Sequence, residues 1–337
     1  MKYRINLRRK HFAQLFLIVI GAFNLIAFQN CSSSGMTSSQ VQSVTPAALS
    51  GGGGTPPTAP GPVGTGSFIL GQRPFLATST WNTPVSASAS YTPFSWVNGA
   101  YYMFGWSKYS TAVYVTNPSD PLVTITTVAS WGWPAETLSL HLPSGVTGAP
   151  GSDAELIIID GNNVHNFWVF NRINDNSATA KAYGRTNLLT GDGWGKASPF
   201  LGAGIVGAAA SEFAGLLVQA ETDAGEINHA LQIEMPGPMQ APGRTGGAIG
   251  ADGHSPTGVV QEGDRLAIPP SVAMPAGLSP LGQKVFRALQ KYGCFDIDTT
   301  DNITVSFRAQ QNAYDSATMT ALDSDIRIIA PLLQLVQ

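Results

Sequence analysis

The sequence predicts a mainly β protein, a single β-sandwich of the jelly-roll kind with one or two packed C-terminal helices. Three observations predict it. Short runs rich in β-branched and aromatic residues recur along the chain. Gly, Pro, Asn or Asp breaks them about every eight to twelve residues, the spacing of sandwich strands and their turns. A helical period surfaces only near the C-terminus.

Taken in order, "TAVYVT" (111–116), "LVTITTV" (122–128) and "TLSLHL" (137–142) alternate apolar with polar or are β-branched, as half-buried strands do. "AELIIID" (154–160) is apolar on both faces and "VHNFWVF" (164–170) is aromatic. "ATAKAYG" (178–184), "HALQIEM" (229–235), "RLAI" (265–268) and "ITVSFRA" (303–309) complete the strand set. Ser279 and Pro280 then open "SPLGQKVFRALQKYG", with Ser at the cap, Pro in the first turn and Gly293 beyond the end. Leu281, Val285, Phe286 and Leu289 repeat at helical spacing, so one face packs on the sheet. A second helix is expected over 317–335, interrupted by Pro331.

The first 67 residues do not belong to that fold. Lys2, Arg4, Arg8, Arg9 and Lys10 form a basic head without an acid, followed by the apolar run "FAQLFLIVIGAFNLIAF" (12–28). That order marks a secretory signal over 1–30; a membrane-spanning helix needs about 20 apolar residues, and this run is shorter and holds Gln14 and Asn24. "QNCSSSG" follows, and it resembles the end of a bacterial lipoprotein signal, in which the cysteine becomes the first mature residue and carries diacylglycerol. The family pattern places Leu three before the cysteine, where this chain has Phe28. The resemblance implies lipidation at Cys31, a cell-envelope address and a membrane partner reached through the acyl chains. Ser32 in place of Asp implies export to the outer membrane. From 31 to 67 the chain is uncharged and without aromatics, rich in Gly, Ser and Pro. Such a segment buries too little apolar surface to offset its ordering entropy. It is a disordered tether with a root-mean-square reach of roughly 30–35 Å. The domain expected to fold therefore covers 68–337.

Charge and cysteine content exclude several functions. Without the five basic residues of the leader, 13 basic side chains face 21 acidic ones, a net charge of −8 that will not attract nucleic acid. Cys294 is the one cysteine besides Cys31, which excludes an intrachain disulfide in the folded domain and any cysteine-rich metal site. No His-Glu-x-x-His, Gly-x-Ser-x-Gly or P-loop pattern occurs, so no metal and no cofactor is called for.

Two stretches combine carboxylates with imidazole. In "LIIIDGNNVHNFWVF" (156–170), a hairpin closed by a four-residue loop would set Asp160 across from His165, and the carboxylate would orient and raise the imidazole as a general base requires. The alternative is a polar hairpin tip. In "AGEINHALQIE" (224–234), Glu221, Asp223 and Glu226 lie in a turn or one-turn helix ahead of a strand starting near Asn228. His229 then shares the apolar face with Leu231 and Ile233, within reach of a carboxylate, either as a catalyst with Glu226 or as a satisfied core residue. Asp252 and His254 in "DGHSPTG" (252–258), with Glu221 and Trp194, are candidate ligand contacts. Trp96, Tyr101, Tyr102 and Trp106 in "FSWVNGAYYMFGW" (94–106) are read as aromatics on a loop that stack on sugar or cover sheet ends.

The second stretch carries a further resemblance. "SEFAGLLVQAETDAGEINHALQIEMP" (211–236), "EGDRLAIPP" (262–270) and "KVFRALQKYGCFDIDT" (284–299) are similar to a group of uncharacterised secreted bacterial β-sandwich proteins, found beside carbohydrate-active modules. The second piece departs from the group's pattern at Asp264, which stands between Gly263 and Arg265. The resemblance implies that Glu226 and His229 share a site, and it implies no activity. Two functions follow as expectations: an envelope lipoprotein whose domain binds a polysaccharide or another surface component, or a glycan-active hydrolase or lyase working through carboxylate and imidazole.

Overall fold

The computed structural model describes residues 67–197 and 200–337. The signal, Cys31 and all of the tether but Ser67 lie outside the described residues. Nineteen strands and three α-helices follow one another there. In the first half these are β1 (Tyr91–Thr92), β2 (Tyr101–Gly105), β3 (Ala112–Val115), β4 (Leu122–Thr127), β5 (Thr137–His141) and β6 (Leu156–Asp160). Next come β7 (Asn163–Trp168), β8 (Asn171–Asn174), β9 (Ser177–Ala180), β10 (Ala182–Asn187), β11 (Gly195–Ala197) and β12 (Phe200–Gly202). The helix α1 (Gln219–Ala224) leads to β13 (Leu231–Met235), β14 (Gln240–Arg244), β15 (Val260–Glu262) and β16 (Arg265–Ala267). The chain closes with α2 (Pro280–Lys291), β17 (Cys294–Thr299), β18 (Thr304–Arg308), α3 (Ser316–Ile329) and β19 (Gln334–Val336).

The strands build a seven-stranded sheet in the order β1-β19-β16-β17-β13-β18-β2 and two four-stranded sheets, β10-β7-β6-β3 and β5-β4-β9-β8. Three apolar layers hold these together. In the first, Val285, Phe286 and Leu289 of α2 and Leu322 and Ile326 of α3 pack on Leu231, Ile233 and Phe307 of the large sheet. On its other side, Phe295 and Ile297 meet Ile157, Ile159 and Val164. Leu156, Ile158 and Phe167 fill the third layer with Val123, Ile125 and Leu140. The doubly apolar run of β6 thus has a physical reason: alternate residues enter two different cores because its sheet is sandwiched. Each such buried aliphatic side chain contributes roughly 1.5–3 kcal/mol.

The mainly β domain with packed C-terminal helices is what the sequence predicts. The pairing is mixed, however. β13 runs parallel to β17 and antiparallel to β18, and β2·β18, β3·β6 and β4·β9 are also parallel. Several boundaries differ from expectation. The stretch 94–106, read as loop, contains β2, whose Phe104 is buried and stacks on Phe307. The run 178–184 divides at Lys181 into β9 and β10. The strand expected near Asn228 starts at Leu231, and all five of its residues are buried because sheet neighbours and both faces are covered. The Ser279 cap is as expected, its side chain accepting from Gly282 N–H at 3.1 Å. The last helix begins on an Asp315 cap and stops at Ile329; a 3₁₀ turn with Pro331 follows, and β19 returns to the large sheet between β1 and β16. No helix among the described residues is long and apolar enough to cross a membrane.

Candidate functional site

A cleft of about 460 Å³ opens where the ends of β17 and β18 meet the loops around residues 130, 153, 205 and 250. Its aromatic wall comes from a tight turn. Ser130 and Trp133 exchange two backbone hydrogen bonds, at 3.0 and 2.8 Å, around Trp131 and Gly132. Both central residues have positive φ, +50° for Trp131 and +99° for Gly132, as a two-residue turn of this hand requires. Gly adopts that conformation freely, whereas a tryptophan there costs of order 1–3 kcal/mol, and strain of this kind concentrates at functional positions. The outcome is an indole 75% exposed at the cleft. It lies 5.4 Å from the Trp168 ring, tilted 40°. Trp168 is aimed by its Nε1–H, which donates to Asp153 Oδ1 at 3.3 Å, and Trp133 by its own Nε1–H, which donates to Gly204 O at 2.7 Å.

The polar wall is acidic. Asp252 is exposed, and both its oxygens accept from Thr299 Oγ1 at 2.9 Å. Next to Thr299, Asp298 accepts from the Gly207 N–H at 3.1 Å. Gly207 is needed here, since a Cβ on it would lie 2.9 Å from the Glu262 carboxyl oxygens. Burial in the cleft wall pushes the Asp298 carboxyl well above the usual range, helped by the nearby Asp252 and Glu234 charges and opposed by the Gly207 N–H and Arg308. Behind it, Glu262 accepts from the Asp252 N–H at 2.9 Å, and burial pushes it up to about 11. Asp296, wholly buried on the same strand, is likewise raised by burial.

Arg308 forms the floor. Its guanidinium donates to Glu155 and, at 2.6 Å, to Glu234, all three side chains being buried. Glu212 joins this group, taking a 3.1 Å hydrogen bond from Thr111 Oγ1. One cation thus serves three carboxyls away from water. Burial raises Glu155 well above its ordinary range and Glu212 to about 7, the neighbouring carboxylates adding to the effect and Arg308 opposing it. The arrangement stores protons beside an open groove, which suits hydrogen-bond donation or proton transfer to an oxygen-rich ligand. Among the described residues no three His, Cys, Asp or Glu side chains converge to hold a metal ion.

The residues singled out in the sequence mostly lie elsewhere. His229 is buried, and its Nε2 is 2.8 Å from Glu221 Oε2, not Glu226. Its Nδ1 faces the Ala230 carbonyl at 2.8 Å, which only accepts, so Nδ1 carries a proton. Burial alone would depress the imidazole, but Glu221 and that carbonyl hold it above its ordinary value, and Glu221 is held low in return. Glu226 instead points out and grips Arg287 with both oxygens, at 2.8 and 2.9 Å. The shared Glu226–His229 site is therefore corrected: the helical turn of α1 carries Glu221 inward and leaves Glu226 beyond its end. Asp160 and His165 do not face one another either. The hairpin turns on two residues, Gly161 at φ +56° and Asn162, so Asp160 pairs with Asn163, and His165 lies opposite Ile158. Asp160 is exposed and accepts from Thr116, while His165 is buried on the Tyr183 hydroxyl at 2.7 Å and pushed down to about 4, chiefly by burial. Trp194 is core, stacked on Trp81 at 4.9 Å. His254 is exposed beside the Asp252 carbonyl. Trp96, Tyr102 and Trp106 pack against the helix-side core. Of the residues named beforehand, Asp252 alone lines the cleft.

Sequence reasoning missed Trp131, Trp133, Trp168, Asp298 and Arg308. Two signals mark Trp131, Trp133 and Asp298 in hindsight. "SWGW" (130–133) sets two tryptophans around a glycine outside any strand, and "CFDIDT" (294–299) plants carboxylates at alternate positions of an otherwise apolar strand. No family model, curated protein or solved structure matches this chain, so the site is read from its geometry.

Proposed function

We propose that this chain is an envelope protein, held on the membrane by lipid at Cys31, whose domain binds a polysaccharide in the tryptophan-lined cleft. The observation that carries the reading is Trp131: an indole held exposed at strained backbone, beside Trp168, on the rim of a polar cleft. Sugar rings present C–H faces that stack on indole and hydroxyls that pair with carboxylates, so this mixture of surfaces suits a glycan better than a peptide or an apolar ligand. The anchor reading rests on the basic head, the apolar run and Cys31 in that order. Fatty-acid labelling that survives Cys31→Ser would remove it.

The binding test uses the full chain in detergent and soluble neutral polysaccharides such as xylan, mannan and β-glucan. Trp131→Ala is expected to weaken binding at least about tenfold, some 1.4 kcal/mol, with the melting temperature nearly unchanged, since the indole is exposed and alanine keeps the same backbone strain. Unaltered affinity in that variant, or no affinity in the parent protein, overturns the reading.

A further inference from the structure

A binding site needs the indoles and a few hydrogen bonds; it does not need a buried carboxyl next to an exposed one. The cleft has both. Asp298 sits half-buried at the end of β17, fixed by the Gly207 N–H and its own neighbour's N–H at 2.8 Å. Asp252 stands exposed in the same cleft, tied through Thr299 Oγ1 to the residue following Asp298. Both carboxyl groups line one cleft in unlike surroundings, and a pair of carboxyls so differentiated is the minimum apparatus for glycosidic bond cleavage.

We infer that the cleft is the active site of a glycoside hydrolase for neutral polysaccharides, with Asp298 as the acid and Asp252 as the base. This rests on the glycan-site reading. In the step, the Asp298 O–H bond breaks and its proton goes to the glycosidic oxygen as that oxygen's bond to the anomeric carbon breaks. A water oxygen bonds to the anomeric carbon while Asp252 takes the proton it releases. One water is consumed and two shorter glycans leave, one with a new free anomeric hydroxyl; solvent returns the proton from Asp252 to Asp298. The groups around Asp298 suit the role of proton donor, since burial and the carboxylates of Asp252 and Glu234 disfavour its charge more than the Gly207 N–H and Arg308 favour it. Charge also selects the substrate. Asp153, Glu155, Asp252 and Asp298 line the cleft against Arg244 and Arg308, and Arg308 is already engaged by Glu155 and Glu234. With Arg308 held in its pairs and Asp298 carrying a proton, Asp153 and Asp252 outnumber Arg244, which leaves the cleft short of cations for a polyuronate and indifferent to an uncharged chain.

The test incubates the full chain in detergent with xylan, mannan, β-glucan and polygalacturonate between pH 4 and 8, measuring bound glycan and released reducing ends separately. Reducing ends are expected from a neutral glycan that binds and none from polygalacturonate. Asp298→Asn and Asp252→Asn should each lower release at least about 100-fold while the glycan still binds. Asp252→Ala should regain activity with added azide or formate, which a structural role would not allow. Binding without release at any pH overturns the hydrolase while leaving the binding site standing; Asp298→Asn turnover equal to the parent's overturns the assignment of the acid. Absence of binding to every neutral glycan removes the underlying reading instead.

Discussion

Two acidic groups in this molecule use the same residue types to opposite ends. Around His229 the chain closes. Glu221 gives one oxygen to the imidazole and the other to the Asn228 N–H at 3.0 Å, and beside them is a void of about 10 Å³, room for one water at most. Around Asp298 the chain opens. Carboxyls, two arginines and three indoles border about 460 Å³ of open space. A carboxylate with an imidazole partner and no room for a ligand is a structural tie, and carboxyls short of cations beside a cleft are a surface open to a ligand. Space and the ratio of charges separate the two, not the identity of the residues.

The largest expected effect breaks the sealed pair. His229→Gln leaves Glu221 buried with one partner gone, and stripping one member from a buried ion pair costs about 3–5 kcal/mol. Chemical denaturation should show that loss, and the molecules that remain folded should bind polysaccharide as before. A variant of undiminished stability that fails to bind would return the site to His229 and reverse the comparison.

The two groups also predict how stability depends on pH. The Glu221 carboxyl is lowered on folding, so its contribution is present above its ordinary pKa, near 4.5, and lost as pH falls through the lower folded value. The His229 imidazole is raised, so its contribution is full below about 6.5 and lost as pH rises through the folded value. Glu155, Glu212, Glu262, Asp296 and Asp298 are raised acids. The unfolded chain ionises them near pH 4 while the folded chain keeps their protons, so unfolding releases protons and stability falls as pH climbs, for Glu212 up to about 7. His165 pulls the other way: held down at about 4, it stays neutral while the unfolded imidazole gains a proton below about 6.5. One imidazole is outweighed by five raised acids and His229. The protein should therefore be more stable at pH 5 than at pH 8, by on the order of 2–3 kcal/mol. Denaturation midpoints at the two pH values decide it, and a midpoint that rises toward pH 8 contradicts the proton-holding cleft. His229→Gln should remove part of the slope and leave the part due to the cleft wall.

What could be read from the sequence follows from range. β6 announced itself because four consecutive aliphatics can only be buried on both sides, and α2 because its cap, period and terminal glycine are all local. Sheet order is not local: β2 joins β18 and β3 joins β6 across long separations, and no period encodes a parallel partner. The cleft is the extreme case. Trp131, Asp153, Asp252 and Asp298 come from four distant segments, and each alone is an ordinary loop or strand-end residue. Glu226 and His229 drew notice because they are neighbours in sequence, yet the irregular stretch after α1 leaves one on the surface and buries the other.

Glu226 supplies the smallest expected effect and the cleanest boundary to the comparison. It belongs to neither group: its side chain is 52% exposed and Arg287's 42%, and the two meet through a bidentate pair on the outer surface of α2. Good geometry favours the pair, but water screens both charges and two long side chains must be held still, so exposed pairs contribute about 0–1 kcal/mol. Glu226→Gln keeps the shape and one acceptor oxygen for Arg287 and loses the charge and the second acceptor. Its denaturation midpoint should therefore shift by no more than about 0.5 kcal/mol, and less still in high salt, where the Debye length shrinks to roughly 3 Å at 1 M. Polysaccharide binding and reducing-end release should match the parent chain, since neither Glu226 nor Arg287 borders the cleft. A loss of either with the fold intact would mean that the glycan reaches across α2, and the site would have to be redrawn to include the very residue that structure sets apart from it.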